Sequence, residues 1–284
     1  MKLLTFPTFF SLLLPLRLGS ASPVSSRGIH NDITRQEPLL PNSPPSSAPE
    51  PDSGLKTILD IEPESNVSIP DWPTSHLLAR RLLALSSTGV LSTIYQKDNR
   101  NPALVGVPVG LPDYFADCEN EGDPKLLNLL GPGNPLVLAL NIGTTFRNTK
   151  AGSNISLSID WWHNAPSSVD GNLDDSPAAF PRLSLLGWLD PLPSTFPDAS
   201  RETMEKCFLA AHPDAKSWLP GDPNAAHRGY WARLVVEEAF WVGGFGDRAR
   251  IGWLNPQTWK AIKKSGKEGE KGWADVRLPG EKAN

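Results

Sequence analysis

The length, composition and charge of the chain fit a soluble protein with about one folded domain, and they argue against nucleic-acid binding. The chain has 284 residues, of which 39% are hydrophobic and 20% are charged, and its formal net charge is −4. A nucleic-acid-binding protein needs clustered Lys and Arg to neutralise phosphates, and this acidic chain lacks that excess.

The first 21 residues have the pattern of a secretory signal peptide. Lys2 supplies a positive charge, residues 3–18 are largely apolar, and residues 19–21 are small enough for cleavage after Ala21. A membrane anchor is the alternative, but prolines and Arg17 interrupt the apolar run, which is shorter than the roughly 20 residues that span a bilayer. No later segment is long and apolar enough to cross a membrane. We therefore expect secretion, or delivery to an endolysosomal or vacuolar compartment.

Two N-glycosylation sequons agree with the secretory route, although either could arise by chance. They are Asn66-Val67-Ser68 and Asn154-Ile155-Ser156. The first comes just before the predicted domain. The second begins an alternating segment in which Asn154 shares the polar face, so a glycan could be accommodated there.

The composition divides the chain into four segments. After the signal peptide (residues 1–21), residues 22–70 are rich in Pro and Ser, and we predict that they form a disordered leader. The folded domain is expected to cover residues 71–262. Residues 263–284 begin with a dense run of charges and are predicted to be a flexible tail, although Trp273 could dock back onto the domain.

The predicted domain starts with a helix and two strands. A helix capped by Thr74 or Ser75 is expected to run to Ser86. Residues 90–95 have the composition of a strand, and a second strand is expected within residues 105–115. Two prolines place this second strand at a sheet edge or break it, because proline cannot donate to the hydrogen-bond ladder.

Apolar patterns predict three further strands. Residues 135–142 are apolar at odd and even positions, which is typical of a strand buried on both faces, by a barrel interior and by a helix or a partner subunit. Residues 154–160 alternate between apolar and polar side chains. Residues 182–189 form another strand, and the polar residues 163–180 before it are predicted to be a loop.

A helix, a long strand and a final helix complete the domain. The helix is expected over residues 198–211 and the strand over residues 230–242. Four apolar residues of the strand share one predicted face: Leu234, Val236, Phe240 and Val242. Glu238 interrupts that face, which favours a bulge or an exposed strand end over an inward carboxylate. With a last helix from Asn255-Pro256, the elements predict an antiparallel barrel with appended helices.

Cys118 and Cys207 are the two cysteines of the chain, so at most one disulfide can form. Cys207 falls at helical spacing with Met204, Phe208 and Ala211, a stripe that is typical of a buried helix face. This favours a free cysteine that packs like a small hydrophobe, with a bridge to Cys118 as the alternative.

Four pieces of sequence occur in an order and spacing that carry a family resemblance. They are Ala79-Arg80 with residues 89–94; residues 110–115 with Asn134-Pro135; residues 212–218; and residues 241–246 with Ile251, Pro256 and Trp259. Together they resemble the CREG family of secreted glycoproteins, which are relatives of the pyridoxamine 5'-phosphate oxidases. Residues 163–180 and the C-terminal tail depart from the pattern of that family.

The resemblance implies a mainly β fold, the FMN-binding split β-barrel with a few appended α-helices, normally as a homodimer. In flavin-using relatives, FMN lies in a groove at the dimer interface. Typical CREG proteins have that groove obstructed and are recognised by other macromolecules outside the cell or in lysosomes. Two functions therefore stay open: a non-catalytic binding dimer with an extracellular or lysosomal partner, and an FMN-dependent oxidoreductase acting on a small molecule. Heme binding is suggested only by distant relatives of the fold.

Thr144, Thr145 and Arg147 are the candidates for holding FMN. Hydroxyls and a guanidinium are the groups that hold a phosphate, and Lys150 lies close by in sequence. A polar hairpin turn is the favoured alternative. No catalytic residue is assigned, and the five histidines show no metal-ligand spacing.

His212 and Trp218 belong to one of the family-like pieces, but both have a structural explanation. His212 could bind the last carbonyls of its helix, and Trp218 could pack beneath the following turn.

Two other pairs have both a functional and a structural interpretation. His227-Arg228 could face a groove, although a lone histidine there is more often a surface residue. Trp161-Trp162 could stack on a sugar or a flavin ring, but such a pair more often covers a barrel end or a dimer contact.

Overall fold

The computed structural model describes residues 69–97, 99–166, 176–246 and 249–281. The predicted signal peptide, nearly all of the leader and the sequon at Asn66 lie outside the described residues, so what the sequence indicates for them stays a prediction.

Five α-helices and seven strands form the described part of the chain. The helices are α1 (Trp72–Leu85), α2 (Pro124–Leu130), α3 (Thr144–Lys150), α4 (Asp198–Ala211) and α5 (Pro256–Ala261). The strands are β1 (Thr88–Ile94), β2 (Pro108–Tyr114), β3 (Leu136–Leu140), β4 (Ile155–Asp160), β5 (Arg182–Pro191), β6 (Gly229–Val242) and β7 (Ile251–Leu254). None of these helices has the length and apolar character that a membrane span requires.

Side chains cap the first turns of several helices, among them α1 and α5. Asp71 caps α1 by accepting a hydrogen bond from the Thr74 backbone N–H at 2.8 Å, so the helix begins before the predicted caps Thr74 and Ser75. Asn255 caps α5 by accepting from two backbone N–H groups, and Pro256 occupies the first turn, as predicted.

The sheet closes on itself at one point. All strand pairs are antiparallel, in the order β2-β1-β4-β5-β6-β3, and β7 also pairs with β6. β2 is the predicted edge strand. Directly after it, Ala116 forms an isolated bridge with Leu136 of β3, which joins the two ends of the sheet. The fold is a split β-barrel with appended helices, as the family resemblance implies.

Alternate residues of the strands line the barrel interior. In β4, Ile155, Leu157 and Ile159 are buried, as the alternation predicts. Leu82 and Leu83 of α1 belong to the same hydrophobic cluster, so this helix packs against the barrel core.

β3 separates the barrel interior from a second hydrophobic core. Val137 and Ala139 belong to the barrel interior, whereas Leu136 and Leu138 belong to the second core. The second core also contains these buried residues: Cys118, Leu126, Leu130, Met204, Phe208, Ala215 and Trp231. The double burial predicted for β3 is confirmed, and helices α2 and α4 supply residues to its outer side.

A disulfide links the second core together and corrects the prediction of a free cysteine. Cys118, in the loop after β2, is bonded to Cys207 of α4, and their Cα atoms lie 5.9 Å apart. The helical stripe exists, because Met204 and Phe208 are fully buried, but Cys207 lies at its partly buried edge. Helical periodicity cannot reveal the bond, because the other cysteine belongs to an irregular loop.

A bulge lies in β6 where the sequence shows Glu238. Leu186 of β5 pairs with Glu238 and the next residue, Gly187, pairs with Val236, so β6 carries one extra residue. Gly187 is required there, because a Cβ atom would lie 1.8 Å from the Val235 carbonyl oxygen. Of the two favoured interpretations of Glu238, the bulge is confirmed.

The bulge reverses which residues of β6 face the barrel. Leu234 before the bulge points inward, as predicted, but after it the inward residue is Trp241, which is 1% exposed. The prediction that Phe240 and Val242 share the inward face is therefore wrong. Both lie on the outer face of the sheet, because one extra residue shifts the alternation of a strand.

The C-terminal segment packs against the domain, unlike the flexible tail predicted from its charges. Trp273 and Leu278 are buried, and the Arg81 guanidinium of α1 donates two hydrogen bonds to the Glu281 carboxylate. Arg81 also donates to the Trp273 carbonyl at 3.3 Å. The apolar residues beyond the charged run anchor the segment, since their burial offsets the loss of chain entropy.

A buried ion cluster links α1 to the loop that carries Cys118. The fully buried Arg80 guanidinium donates to the Glu119 carboxylate at 2.5 Å and lies 3.7 Å from Asp117. Burial is the main cause of the raised pKa of Asp117. Lys263 adds a second cation, 3.2 Å from Glu119. The cluster connects the barrel, the second core and the start of the C-terminal segment.

Candidate functional site

The three flavin candidates lie on the short helix α3 rather than on a hairpin turn. Thr145 is buried on the side of the helix that carries Phe146, a residue of the barrel core. Thr144 is half-buried and Arg147 is exposed. Residues three positions apart are neighbours on a helix, so Thr144 and Arg147 share a side that excludes Thr145.

This arrangement does not fit a phosphate site built from all three candidates. A phosphate is held by several donors that converge on it, and Thr145 points away from the other two. The Lys150 ammonium is engaged elsewhere, because it lies 2.5 Å from Asn141 Oδ1 and 4.5 Å from the centre of the Tyr230 ring. Thr144 and Arg147 remain as an exposed pair on a helix of seven residues.

Two of the family-like pieces meet where Tyr114 stacks on His212. The ring centres are 4.1 Å apart and the planes are nearly parallel, at 8°. His212 is buried, and its Nε2 atom carries the hydrogen, because it lies 3.0 Å from the Phe115 carbonyl oxygen, which can only accept. The Tyr114 hydroxyl donates to Asp214 at 2.9 Å, a bond that is the main cause of its raised pKa. The His212 ring thus joins α4 to β2 instead of binding its own helix.

A cavity of about 170 Å³ lies beside this stack. Its lining consists of Pro112, Asp113, Tyr114, Leu138, Leu140 and Trp218. The Asp113 carboxylate accepts a hydrogen bond from the Tyr114 backbone N–H at 2.8 Å. Burial is the main cause of the raised pKa of Asp113. The cavity, called the Asp113 cavity below, therefore combines an apolar wall with one partly desolvated carboxylate.

His227 and Arg228 line a larger cavity of about 390 Å³, so they face a groove as one of the two interpretations predicts. Asn141 and Asp222 lie in the same lining, and the two signs of charge favour no single class of ligand. Across the residues that the structure describes, no group of three His, Cys, Asp or Glu side chains could hold a metal ion.

Asn154 is exposed and borders an apolar groove of about 270 Å³ on the outer face of the sheet. Ile94, Pro108 and Leu186 line this groove. The position agrees with the polar face predicted for Asn154, and it leaves the asparagine accessible to a glycan.

Farther along the same outer face, a row of side chains crosses the sheet. Large apolar residues form the end of this row on β6 and β7. The register places these residues side by side across five strands: Val90, Ser158, Ser184, Phe240 and Trp253. The Phe240 and Trp253 rings are in edge contact with their centres 5.0 Å apart. Trp253 is 56% exposed and the neighbouring Ile251 is 48% exposed. We call Phe240, Ile251 and Trp253 the outer aromatic patch.

The two tryptophans of the Trp161-Trp162 pair lie in different surroundings. Trp161 is buried in the barrel core and its indole N–H donates to the Pro279 carbonyl at 2.8 Å. Trp162 is exposed, and the Arg182 guanidinium lies 5.6 Å from its ring centre. The pair therefore does not form one stacking surface.

The sequence does not predict the outer aromatic patch or the Asp113 cavity. Phe240 appears inward-facing until the bulge is known. Asp113 and Trp218 belong to two of the family-like pieces, so the resemblance draws attention to both stretches, but only the tertiary structure shows that they meet.

Residues 73–261 match the family model described as CREG, beta-barrel. The chain belongs to the CREG β-barrel family. The match covers nearly all of the CREG barrel and its helices, and it confirms the family that the four sequence pieces indicate. Among curated proteins, no match to this CREG chain is found.

Solved structures resemble the CREG barrel at low identity. A heme-binding protein from Mycobacterium smegmatis is 20% identical with a TM-score of 0.45, over 68% of this chain and 62% of that one. A protein of the pyridoxinephosphate oxidase family from Clostridium acetobutylicum is 12% identical with a TM-score of 0.37, over 66% and 98%. An FAD-binding protein from Mesorhizobium loti is 13% identical with a TM-score of 0.35, over 57% and 90%. The CREG chain thus spans about 62% of the length of the heme-binding protein.

Proposed function

We propose that this CREG-family chain is a secreted, non-catalytic glycoprotein that forms a homodimer and is recognised by another macromolecule. The observation that carries the proposal is the outer aromatic patch, where Trp253 and Ile251 are about half exposed beside Phe240. Burying one large apolar side chain contributes about 1.5–3 kcal/mol, so a second copy that covers the patch gains stability from both chains.

The disulfide between Cys118 and Cys207 supports a secretory destination. Disulfides persist in oxidising compartments and are rare in the cytosol, where thiols are kept reduced. This agrees with the predicted signal peptide and with the two sequons.

The position of Asn154 is compatible with both a glycan and a dimer. Asn154 lies beside Ile94 and Pro108, at the β1–β2 end of the outer face. The outer aromatic patch lies on the same face but on β6 and β7, farther along the sheet. A glycan at Asn154 would therefore leave the patch open to a second copy.

The placement of the flavin candidates supports a non-catalytic role. Thr145 is buried away from Thr144 and Arg147, so the three residues do not form a phosphate cradle. An FMN-dependent oxidoreductase is the alternative function, and added FMN tests it directly.

The dimer is tested by measuring the mass of the purified, glycosylated protein in solution with light scattering after size-exclusion chromatography. We expect a dimer for the natural sequence and a folded monomer for Trp253→Glu, because a charge at the patch cannot be buried. Val107→Glu is the matched control, since Val107 is 41% exposed in the turn that precedes β2, and this variant should remain a dimer. A monomeric natural protein at micromolar concentration would refute the proposal.

The absence of flavin chemistry is tested on the same preparation by its visible spectrum before and after adding FMN. We expect no retained flavin bands after gel filtration. Stoichiometric retention that Arg147→Ala abolishes would instead favour the oxidoreductase. Glycan occupancy is read from the loss of mass on enzymatic deglycosylation, which Asn154→Gln should reduce.

A further inference from the structure

We propose that the Asp113 cavity is a binding site for a small organic cation of the alkylammonium class. The site goes beyond the binding dimer proposed above and does not depend on dimerisation. It is formed by the end of β2, the outer side of β3 and the 3-10 helix Pro213–Trp218 that follows α4.

The first support is the charge of the cavity lining. Asp113 supplies a carboxylate, and among the described residues it forms no ion pair with a lysine or an arginine. Its one hydrogen bond within the described chain comes from the adjacent Tyr114 backbone. Burial raises the pKa of Asp113, and the neighbouring His212 opposes only part of that shift. A bound ammonium group would restore favourable interactions to this partly desolvated carboxylate.

The second support is the nature of the other walls. Leu138, Leu140 and Pro112 give an apolar surface, and Tyr114 and Trp218 add aromatic rings. An alkyl chain is matched by the apolar wall, and a cation is attracted by the aromatic rings as well as by the carboxylate. A neutral apolar ligand would leave the Asp113 carboxylate unpaired, and an anion would be repelled by it.

The third support is that the site is rigid before any ligand binds. The Tyr114 ring is held between its stack on His212 and its hydrogen bond to Asp214. Leu138 is buried in the second core, which the disulfide crosslinks. A preorganised site loses little entropy when it binds, so even a small ligand can be retained.

The size of the cavity limits the ligand. About 170 Å³ is smaller than the roughly 300–1,000 Å³ of pockets that hold drug-sized molecules. The fitting ligands are a free small amine or the ammonium-bearing side chain of a lysine on a partner protein. Both present the same chemistry to Asp113.

The test is an NMR titration of the full mature protein, following the backbone amides of Asp113 and Tyr114 and the Trp218 indole N–H. The probes are n-butylammonium, n-butanol and n-butyrate, which share an alkyl chain and differ in charge. We expect saturable shifts with butylammonium in the millimolar range and at least tenfold weaker binding of the other two. Equal binding of butanol and butylammonium would overturn the proposal without any variant being needed.

A charge-removing variant gives the second arm of the test. Asp113→Asn should weaken butylammonium binding at least tenfold, whereas Asp222→Asn, in the lining of the larger cavity, should leave it unchanged. Unchanged binding by a folded Asp113→Asn variant would also overturn the proposal.

A capped lysine, Nα-acetyl-lysine N-methylamide, distinguishes the two sources of the cation. Binding as tight as that of butylammonium supports a lysine side chain from a partner. Binding of butylammonium alone supports a free amine, and binding of neither probe refutes the site.

Discussion

The barrel interior and the second core are built from different kinds of sequence signal. In the barrel, strands such as β4 contribute alternate residues, and the disulfide does not touch this cluster. In the second core, β3 is covered by residues of α2, α4 and irregular loops, and a disulfide holds α4 to one of those loops. A periodic strand specifies its own buried face, whereas helices and loops that pack together follow no such local rule, and here a disulfide holds two of them in place.

The two regions also differ in how they relate to candidate sites. The barrel interior is filled by side chains, among them Trp241 and Leu157, and works as a scaffold. The second core borders the Asp113 cavity through Leu138, Leu140 and Trp218. A binding surface next to the less regular core is consistent with the general placement of function on loops that a rigid scaffold holds.

The largest expected effect comes from removing a side chain of the barrel interior. Trp241→Ala should lower the free energy of unfolding by about 3–5 kcal/mol, because it removes a fully buried aromatic side chain and leaves a cavity. Chemical denaturation monitored by circular dichroism measures the change. Trp162→Ala is the control on an exposed indole and should cost less than about 1 kcal/mol. Similar losses for the two variants would show that Trp241 does not hold the barrel.

The next effect should come from breaking the crosslink of the second core. Replacing both Cys118 and Cys207 by Ser should cost about 2–5 kcal/mol, since the bond closes a long loop between cysteines that are separated by 89 positions in sequence. Hydrogen exchange should rise more in α4 than in β4, because α4 loses its attachment while β4 keeps its pairing. Equal loss of protection in both elements would mean that the two cores unfold as one unit.

The smallest effect concerns the docked C-terminal segment and its pH dependence. Hydrogen bonds from Arg81 are the main cause that lowers the pKa of Glu281 from its ordinary value of 4.5. The folded state therefore binds this proton less tightly than the unfolded state does. The stabilisation that the ionised Glu281 gives to the folded state is fully present above pH 4.5. It is lost as the pH falls through the lowered pKa of Glu281 in the folded state.

Glu281→Gln should cost about 1 kcal/mol at neutral pH and flatten the acid limb of the stability curve. Denaturation midpoints measured across the acidic range check both effects. Glu268→Gln, at an exposed position of the same segment, is the matched control and should change neither. An unchanged acid limb in Glu281→Gln would remove Glu281 from the attachment of the segment.

The outcome for particular residues shows where sequence patterns stop being informative. The alternation of Ile155, Leu157 and Ile159 predicts their burial, because a strand has a fixed two-residue period. The same rule fails at Phe240, because the bulge between Val236 and Glu238 inserts an extra residue into β6 before Phe240. The flavin candidates have side chains of the types that hold a phosphate. Because these residues form helix α3, however, Thr145 lies on a different side of the helix from Thr144 and Arg147.

By itself, the sequence determined the order of six strands and of helices α1, α4 and α5, the double burial of β3 and the resemblance to the CREG family, because these depend on local periodicity and motif order. It does not predict α2, and it favours a hairpin turn where α3 lies. Only the tertiary structure decided the bond between Cys118 and Cys207, the docking of Trp273 and the meeting of Asp113 with Trp218. Each of these joins segments that are distant along the chain, and their contact depends on how the whole barrel closes rather than on any local pattern.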